Sequence, residues 1–378
     1  MSGTFWSKSF CLMCVANVLV TTAVFMLLPY QMQLLEHFGH QQLESALAVS
    51  LFAVGMFLPG PFNAHMVDAF SRKTVSQLSV LLFFVSCVIM EFSRLEWLFM
   101  LLRIFQGACF GTFQMSLGST LVNDLTFSEQ RTSADYFYTW FGLFGLPFGI
   151  MTGHVVLIHF GPHVLFLAIV CSLLLAWMLL FLLRVPFRAP VKTPLLSTDR
   201  FLFIHSFVLM VNLFPVAMIP TMYLGCLQQV QPMLMMLYGL IGGLLVHRIL
   251  FSHTDPRADA VSGLLMILTS SVMILNPAGY DFMKTAFLLM GVGVSWFCSR
   301  LLLYFLKLSG HCQRGTLQQT YILVLITGNC LGFFLGYVVP NVFILTIIVT
   351  VFSLFFYIFV AHKWFMRKNV RNFRFRET

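Results

Sequence analysis

Two arginines stand inside long apolar runs: Arg103, in Arg103-Ile-Phe-Gln106-Gly107, and Arg300, in Trp296-Phe-Cys-Ser-Arg300. A cation at a bilayer centre costs roughly 2.5–3.5 kcal/mol on insertion scales, so each must face protein, water or a ligand rather than lipid. The chemistry open to them is recognition of a negative charge; the competing role is a structural one, hydrogen-bonding backbone carbonyls of a neighbouring helix. Asn17, Gln106, Gln114, Asn212 and Trp296 are further polar or stacking groups in apolar runs that could line a binding site, although helix–helix hydrogen bonding would account for any one of them. Asn329, Tyr138, Trp140 and Tyr223 belong to the same class.

The two arginines do not converge on one ligand. Arg103 lies near the outer end of its run and Arg300 well past the middle of its own, a separation of roughly 15 Å along the membrane normal at 1.5 Å per residue. No Asp or Glu falls in the middle of an apolar run, leaving His154 and His205 as the candidates for a proton-coupling group. Buried cations without buried acids favour an anionic or zwitterionic ligand.

A second charged constellation is Asp68, Arg72 and Lys73, in Gly60-Pro-Phe-Asn-Ala-His-Met-Val-Asp68-Ala-Phe-Ser-Arg72-Lys73. An apolar segment cannot continue through these three residues, so the chain is expected to surface here as a short polar break. The paired bases put it on the cytoplasmic side.

The elements that must position these residues are membrane spans. Of 378 residues 59% are hydrophobic and only 9% charged, against about 25% in soluble domains, and the mean hydropathy is +0.89. Runs of about 20 apolar residues give an all-α chain of twelve spans, near 9–32, 43–64, 74–92, 97–121, 133–158, 162–183, 201–224, 230–250, 260–277, 283–307, 316–338 and 341–361. No cleavable signal is expected before the first. With both termini inside, the inner segments hold nearly all of the 22 Lys and Arg, whereas the outer loops have only Arg94 and Lys284. That asymmetry follows the positive-inside rule, and it also explains the net charge of +9 without nucleic acid. Cys11-Leu-Met-Cys14 lies in a span and reads as two small core residues rather than a redox or zinc pair. No metal site or cofactor is expected.

The stretch 186–200, rich in proline, is the one linker, so the expected domains are a six-helix bundle at 1–185, a cytoplasmic linker at 186–200, a second six-helix bundle at 201–362 and a basic cytoplasmic tail at 363–378. A shift of 183 residues supports duplication. It lays Arg131 on Arg314, Tyr138 on Tyr321, Gly145 on Gly328, Gly149 on Gly332, Gly153 on Gly336 and Gly60 on Gly243. Glycines every four residues, with Pro147 among them, make a small-residue face on spans 5 and 11 that allows close helix packing. Duplicated halves commonly meet around a site near the bilayer midplane.

On these residues the chain resembles the major facilitator superfamily. Asp68, Arg72 and Lys73 match its motif A, with Ala64, Ala69 and Ser71 replacing two glycines and an arginine. Arg103-x-x-Gln106-Gly107 looks like motif B, and Gly142, Gly145, Pro147, Gly149 and Gly153 look like a degraded motif C. The resemblance implies two pseudo-symmetric six-helix bundles and a secondary active or facilitative transporter, not an enzyme, moving a small solute by alternating access. It also implies a conformational latch of Asp68, Arg72 and Lys73, joined by Arg131, with Asp68 meeting the positive end of a partner helix. Expected partners are a small-molecule substrate, membrane lipids and a coupling ion or exchanged solute, in an inner or plasma membrane. A multidrug or lipid-like exporter of the same fold is the alternative, and a non-transporting receptor or scaffold the alternative from another class.

Overall fold

A computed structural model describes residues 6–37, 42–93, 95–127, 129–185, 194–197, 200–227, 230–250, 255–275, 280–308 and 313–374. Most of the proline-rich linker, with Arg188 and Lys192, lies outside them. Among the described residues the chain is helices joined by short turns, with no strand. Such regularity is what a bilayer demands, because backbone groups in hydrocarbon must find partners within their own segment.

In order the helices are α1 (Lys8–His37), α2 (Gln42–Phe57), α3 (Gly60–Ala69), α4 (Arg72–Phe92), α5 (Glu96–Gln114), α6 (Val122–Leu125), α7 (Arg131–Phe160) and α8 (Pro162–Leu182). There follow α9 (Phe207–Leu227), α10 (Val230–Leu250), α11 (Pro256–Leu275), α12 (Tyr280–Leu308), α13 (Arg314–Val338), α14 (Val342–Phe356) and α15 (His362–Arg374). Wide π-helical turns, Met115–Leu121 and Tyr357–Ala361, join α5 to α6 and α14 to α15. Among the described residues ten helical segments are long and apolar enough to cross a membrane. The bent pair α2–α3 makes an eleventh, and α10 carries a shorter apolar stretch, Leu234–Val246. These occupy the twelve expected positions in order.

The side chains are sorted for an apolar surrounding. On α14, Ile344, Ile348, Phe352 and Phe355 are exposed, while Thr346, Thr350 and Ser353 are buried on the opposite face. An oily exterior and a hydroxyl-lined interior are the arrangement expected where lipid rather than water is outside.

The stretch around Asp68 is a break between two apolar segments, and the structure adds a short helix to it. It is mostly helical: α3 begins with Pro61 in its first turn, runs to Ala69 at 51° to α2, and only Phe70 and Ser71 separate it from α4. Pro59 and the Gly60-Pro61 pair account for the bend, because proline cannot donate to the preceding turn yet suits a helix start. Between α7 and α8 the chain reverses at Gly161, whose φ of +84° is open to glycine at little cost, and Pro162 then starts α8.

The described chain separates into two compact units: residues 1–203 with 312–323, and residues 204–311 with 324–378. In the first unit α7 lies on α1 with almost no gap. A β-carbon at Gly145 would come 2.7 Å from Thr21 Cβ, and one at Gly153 would come 2.7 Å from Pro29 Cγ. Gly149 faces the Thr22 carbonyl in the same way, and Pro147 is buried in the same helix. In the second unit Gly328 meets Ala217 and the Phe214 carbonyl, and Gly332 meets Met218 and Thr221, so α13 lies on α9 as α7 lies on α1. Gly336 is buried on the same helix.

Candidate functional site: a polar stripe between α1 and α5

Arg103, Gln106 and Gln114 follow one another at intervals of three and eight residues, which at 100° per residue places them along one side of α5. All three are buried, Arg103 at 2% exposure. Arg103 Nη1 donates to Gln106 Oε1 at 2.6 Å, and Nε points at the Ala48 carbonyl at 3.5 Å. In the amide orientation that satisfies Gln31, its oxygen accepts from Arg103 Nη1 at 2.9 Å and Nε at 3.2 Å. The guanidinium also lies over the Phe52 ring, 4.8 Å from its centre, a cation–π contact strengthened by desolvation. Gln106 uses its amide N–H groups on the sulfurs of Cys87 and Met90.

The other end of the stripe is neutral. Gln114 Nε2 donates to Asn17 Oδ1 at 2.7 Å, Asn17 Nδ2 donates to the Tyr138 carbonyl at 3.1 Å, and Tyr138 Oη returns to Gln114 Oε1 at 3.4 Å. Thr21 adds a hydroxyl to Asn17 Oδ1 at 3.4 Å. The close packing of Gly142 against the Asn17 amide is what lets this side chain lie flat on α7. Thus α1 and α5 are tied at two levels, Gln31 to Arg103 and Asn17 to Gln114. In water such bonds would contribute little; in a dry interior each unsatisfied member would cost about 1–3 kcal/mol.

The three candidates of the second unit serve separate helices. Trp296 Nε1 donates to the Gly243 carbonyl of α10 at 2.9 Å, and Asn212 Nδ2 donates to the Ser353 carbonyl of α14 at 3.0 Å. Arg300 forms a buried ion pair with Asp259 in the first turn of α11. Here the expectation of buried arginines without buried acids fails. Asp259 is 3% exposed and Asp135 is fully buried. Both sit in the opening turns of helices that start earlier than the apolar runs alone implied, and both are drawn inward by arginines. Of the two histidines, His154 is half-buried on α7 and His205 is exposed in the turn before α9.

The Asp68 group gains members that sequence reasoning missed. Arg72 is paired with Asp124 and, at 3.5 Å, with Asp68; Arg200 Nη1 lies 2.9 Å from Asp68 Oδ1. Lys73 Nζ donates to the carbonyls of Phe181 and Leu183 at 2.7 Å each, and sits 5.4 Å from the Phe181 ring centre. Two cations in the first turn of α4 oppose that helix's dipole, but Lys73 simultaneously caps the carbonyl end of α8, where positive charge is favourable. The charge of Arg131 acts on Asp135, one turn further along α7. No side-chain contact joins Arg131 to Asp68 among the described residues.

Among known structures, the E. coli fucose:proton symporter FucP superposes with a TM-score of 0.60 at 17% identity, over 92% of this chain and 97% of that one. A bacterial homologue of the iron transporter ferroportin, in an outward-facing state with soaked iron, gives a TM-score of 0.61 at 15% identity, over 92% of this chain and 98% of that one. At these identities the likeness is one of fold. No curated protein matches the sequence. The family model of the Major Facilitator Superfamily matches residues 11–337, taking in α5 with its stripe, the Asp68 group and both glycine-lined helices. The chain therefore belongs to the Major Facilitator Superfamily.

Proposed function

We propose that this protein carries a small polar solute, anionic or zwitterionic, and that Arg103 supplies the charge that recognises it. The coarser part of this reading follows from the superfamily, whose fold is that of integral membrane transporters working by alternating access. The finer part is supported by one observation: a buried guanidinium at the head of a row of buried polar side chains, with Gln106, Gln114 and Asn17 below it. A ligand that exchanges hydrogen bonds with such a stripe can bind two states of the carrier differently, and only a differential contact can drive the change between them. Arg300, held by Asp259, is assigned to the packing of α11 and α12, so the charge of the solute rests on Arg103 alone.

Asp68 with Arg72 and Lys73 is assigned as the latch, extended to Asp124 and Arg200, while Arg131 is assigned to Asp135. The bundles at 1–185 and 201–362, the linker at 186–200 and the basic tail at 363–378 complete the proposed organisation, with both termini cytoplasmic in the cell membrane. A thermal-shift screen of the purified protein against metabolites grouped by charge tests the reading, with Arg103→Gln and Gln114→Ala beside the wild type. Stabilisation by a group of anions or zwitterions that Arg103→Gln abolishes is the expected result. Stabilisation by apolar cations or lipids alone, indifferent to Arg103, would make the arginine structural and the protein an exporter.

A further inference from the structure

Asp135 is a fully buried carboxylate one turn into α7. Its Oδ1 accepts from Gln318 Nε2 at 3.2 Å in the amide orientation that satisfies Gln318. The same nitrogen donates to the Gly118 carbonyl at 3.0 Å, and the Gln318 oxygen accepts from Thr139 Oγ1 at 3.0 Å. Oδ2 is buried with no hydrogen-bond partner among the described residues. The charged groups acting on it are Arg314, which opens α13, and Arg131, one turn earlier on α7. The π-helical segment contributes the Gly118 carbonyl. The first turns of α13 fit closely here: a β-carbon at Gly315 would collide with the Ser119 carbonyl, and Gln319 Nε2 points at the Gly111 carbonyl at 3.4 Å. Residues 312–323 belong to the first compact unit and residues from 324 to the second, so α13 is an element of both.

An ionisable group inside a span is costly and marks a functional site by default. This one has two distinct states. Ionised, it accepts from Gln318 and attracts Arg131 and Arg314. With a proton from water on Oδ2, the oxygen that is otherwise unused, that attraction disappears. We propose that Asp135 is a proton-binding site of this transporter, and that its ionised form holds the first turns of α13 against α7 and the π-helical segment. Proton uptake loosens those turns and proton release reseats them, so the proton is a coupling ion acting on the one helix common to both units. The inference is independent of the charge of the solute.

Hydrogen–deuterium exchange of the purified full-length protein tests it, reading the peptide 314–323 in wild type and Asp135→Asn, each rate corrected for intrinsic pH dependence. Near neutral pH the variant, a mimic of the protonated state, should exchange several-fold faster than wild type. In acid the two should converge, because the wild type has then taken up its proton. Equal rates near neutrality, or a difference that persists unchanged in acid, would overturn the proposal; a merely structural aspartate gives the latter. Should Asp135→Asn not fold, an infrared pH titration of wild type and Gln318→Leu decides the matter. The carbonyl stretch of a buried carboxylic acid must appear on acidification with a midpoint that Gln318→Leu displaces. No band, or an undisplaced midpoint, refutes the site.

Discussion

Arg200 reaches Asp68 from a left-handed backbone: its φ is +66° and its Nη1 lies 2.9 Å from Asp68 Oδ1. That conformation costs a non-glycine residue about 1–2 kcal/mol, and the side chain is one-third exposed, so the ion pair itself is screened and contributes at most about 1 kcal/mol. The two roughly cancel. The contact therefore adds little to stability, and its effect is expected in the conformational cycle.

Asp68→Asn and Arg200→Gln should each slow transport several-fold while changing unfolding stability by less than about 1 kcal/mol and leaving ligand affinity in place. Counterflow in proteoliposomes, with the ligand from the thermal-shift screen, reads the rate. Unchanged counterflow in Asp68→Asn would remove the latch role.

Removing one partner of the Arg300–Asp259 pair strands a buried charge. Arg300→Met or Asp259→Leu alone should destabilise by about 3–5 kcal/mol, and the double replacement should recover most of the loss. Thermal unfolding in detergent measures this. If Asp259→Leu left stability intact and abolished ligand binding instead, Arg300 would return to the substrate site.

Two helical glycines should respond oppositely. Gly149→Val drives a side chain into the Thr22 carbonyl and to within 2.9 Å of Phe25 Cβ, an overpacking expected to cost about 1–3 kcal/mol. Gly242→Ala on α10 meets nothing within 4 Å and should gain up to about 1 kcal/mol from helix propensity. The comparison needs only melting curves.

Asn17 and Gln114 share one hydrogen bond across two helices, so Asn17→Ala and Gln114→Ala should be non-additive. A double-mutant cycle on unfolding is expected to return a coupling of about 0.5–1.5 kcal/mol. Additive losses would mean that the stripe does not act as a unit.

The sequence carried the spans, the buried cations and the glycine faces because each is written locally, in hydropathy, in a charge within an apolar run, or in a four-residue period. It did not carry the partners. Asp124 and Arg200 bond to Arg72 and Asp68 across long intervals of chain, and no periodicity encodes which helices become neighbours. Asp135 and Asp259 lie at the edges of apolar runs, where an acid looks like the start of a loop; only the helix in front of each shows that it points inward. The polar stretch before Arg72 carries the same lesson. Its charges forbid hydrocarbon but do not forbid helix, and α3 forms there.

The wide turns at Met115–Leu121 have a consequence for how this protein tolerates change in chain length. A π-helical segment is the trace of a residue accommodated within an α-helix without breaking it. Everything downstream is thereby turned by about 100° relative to an uninterrupted helix, and Asp124, which meets Arg72, lies immediately downstream. Deleting a single residue from this segment would leave a better-wound helix and a broken ion pair, so the less regular winding is what aims the carboxylate.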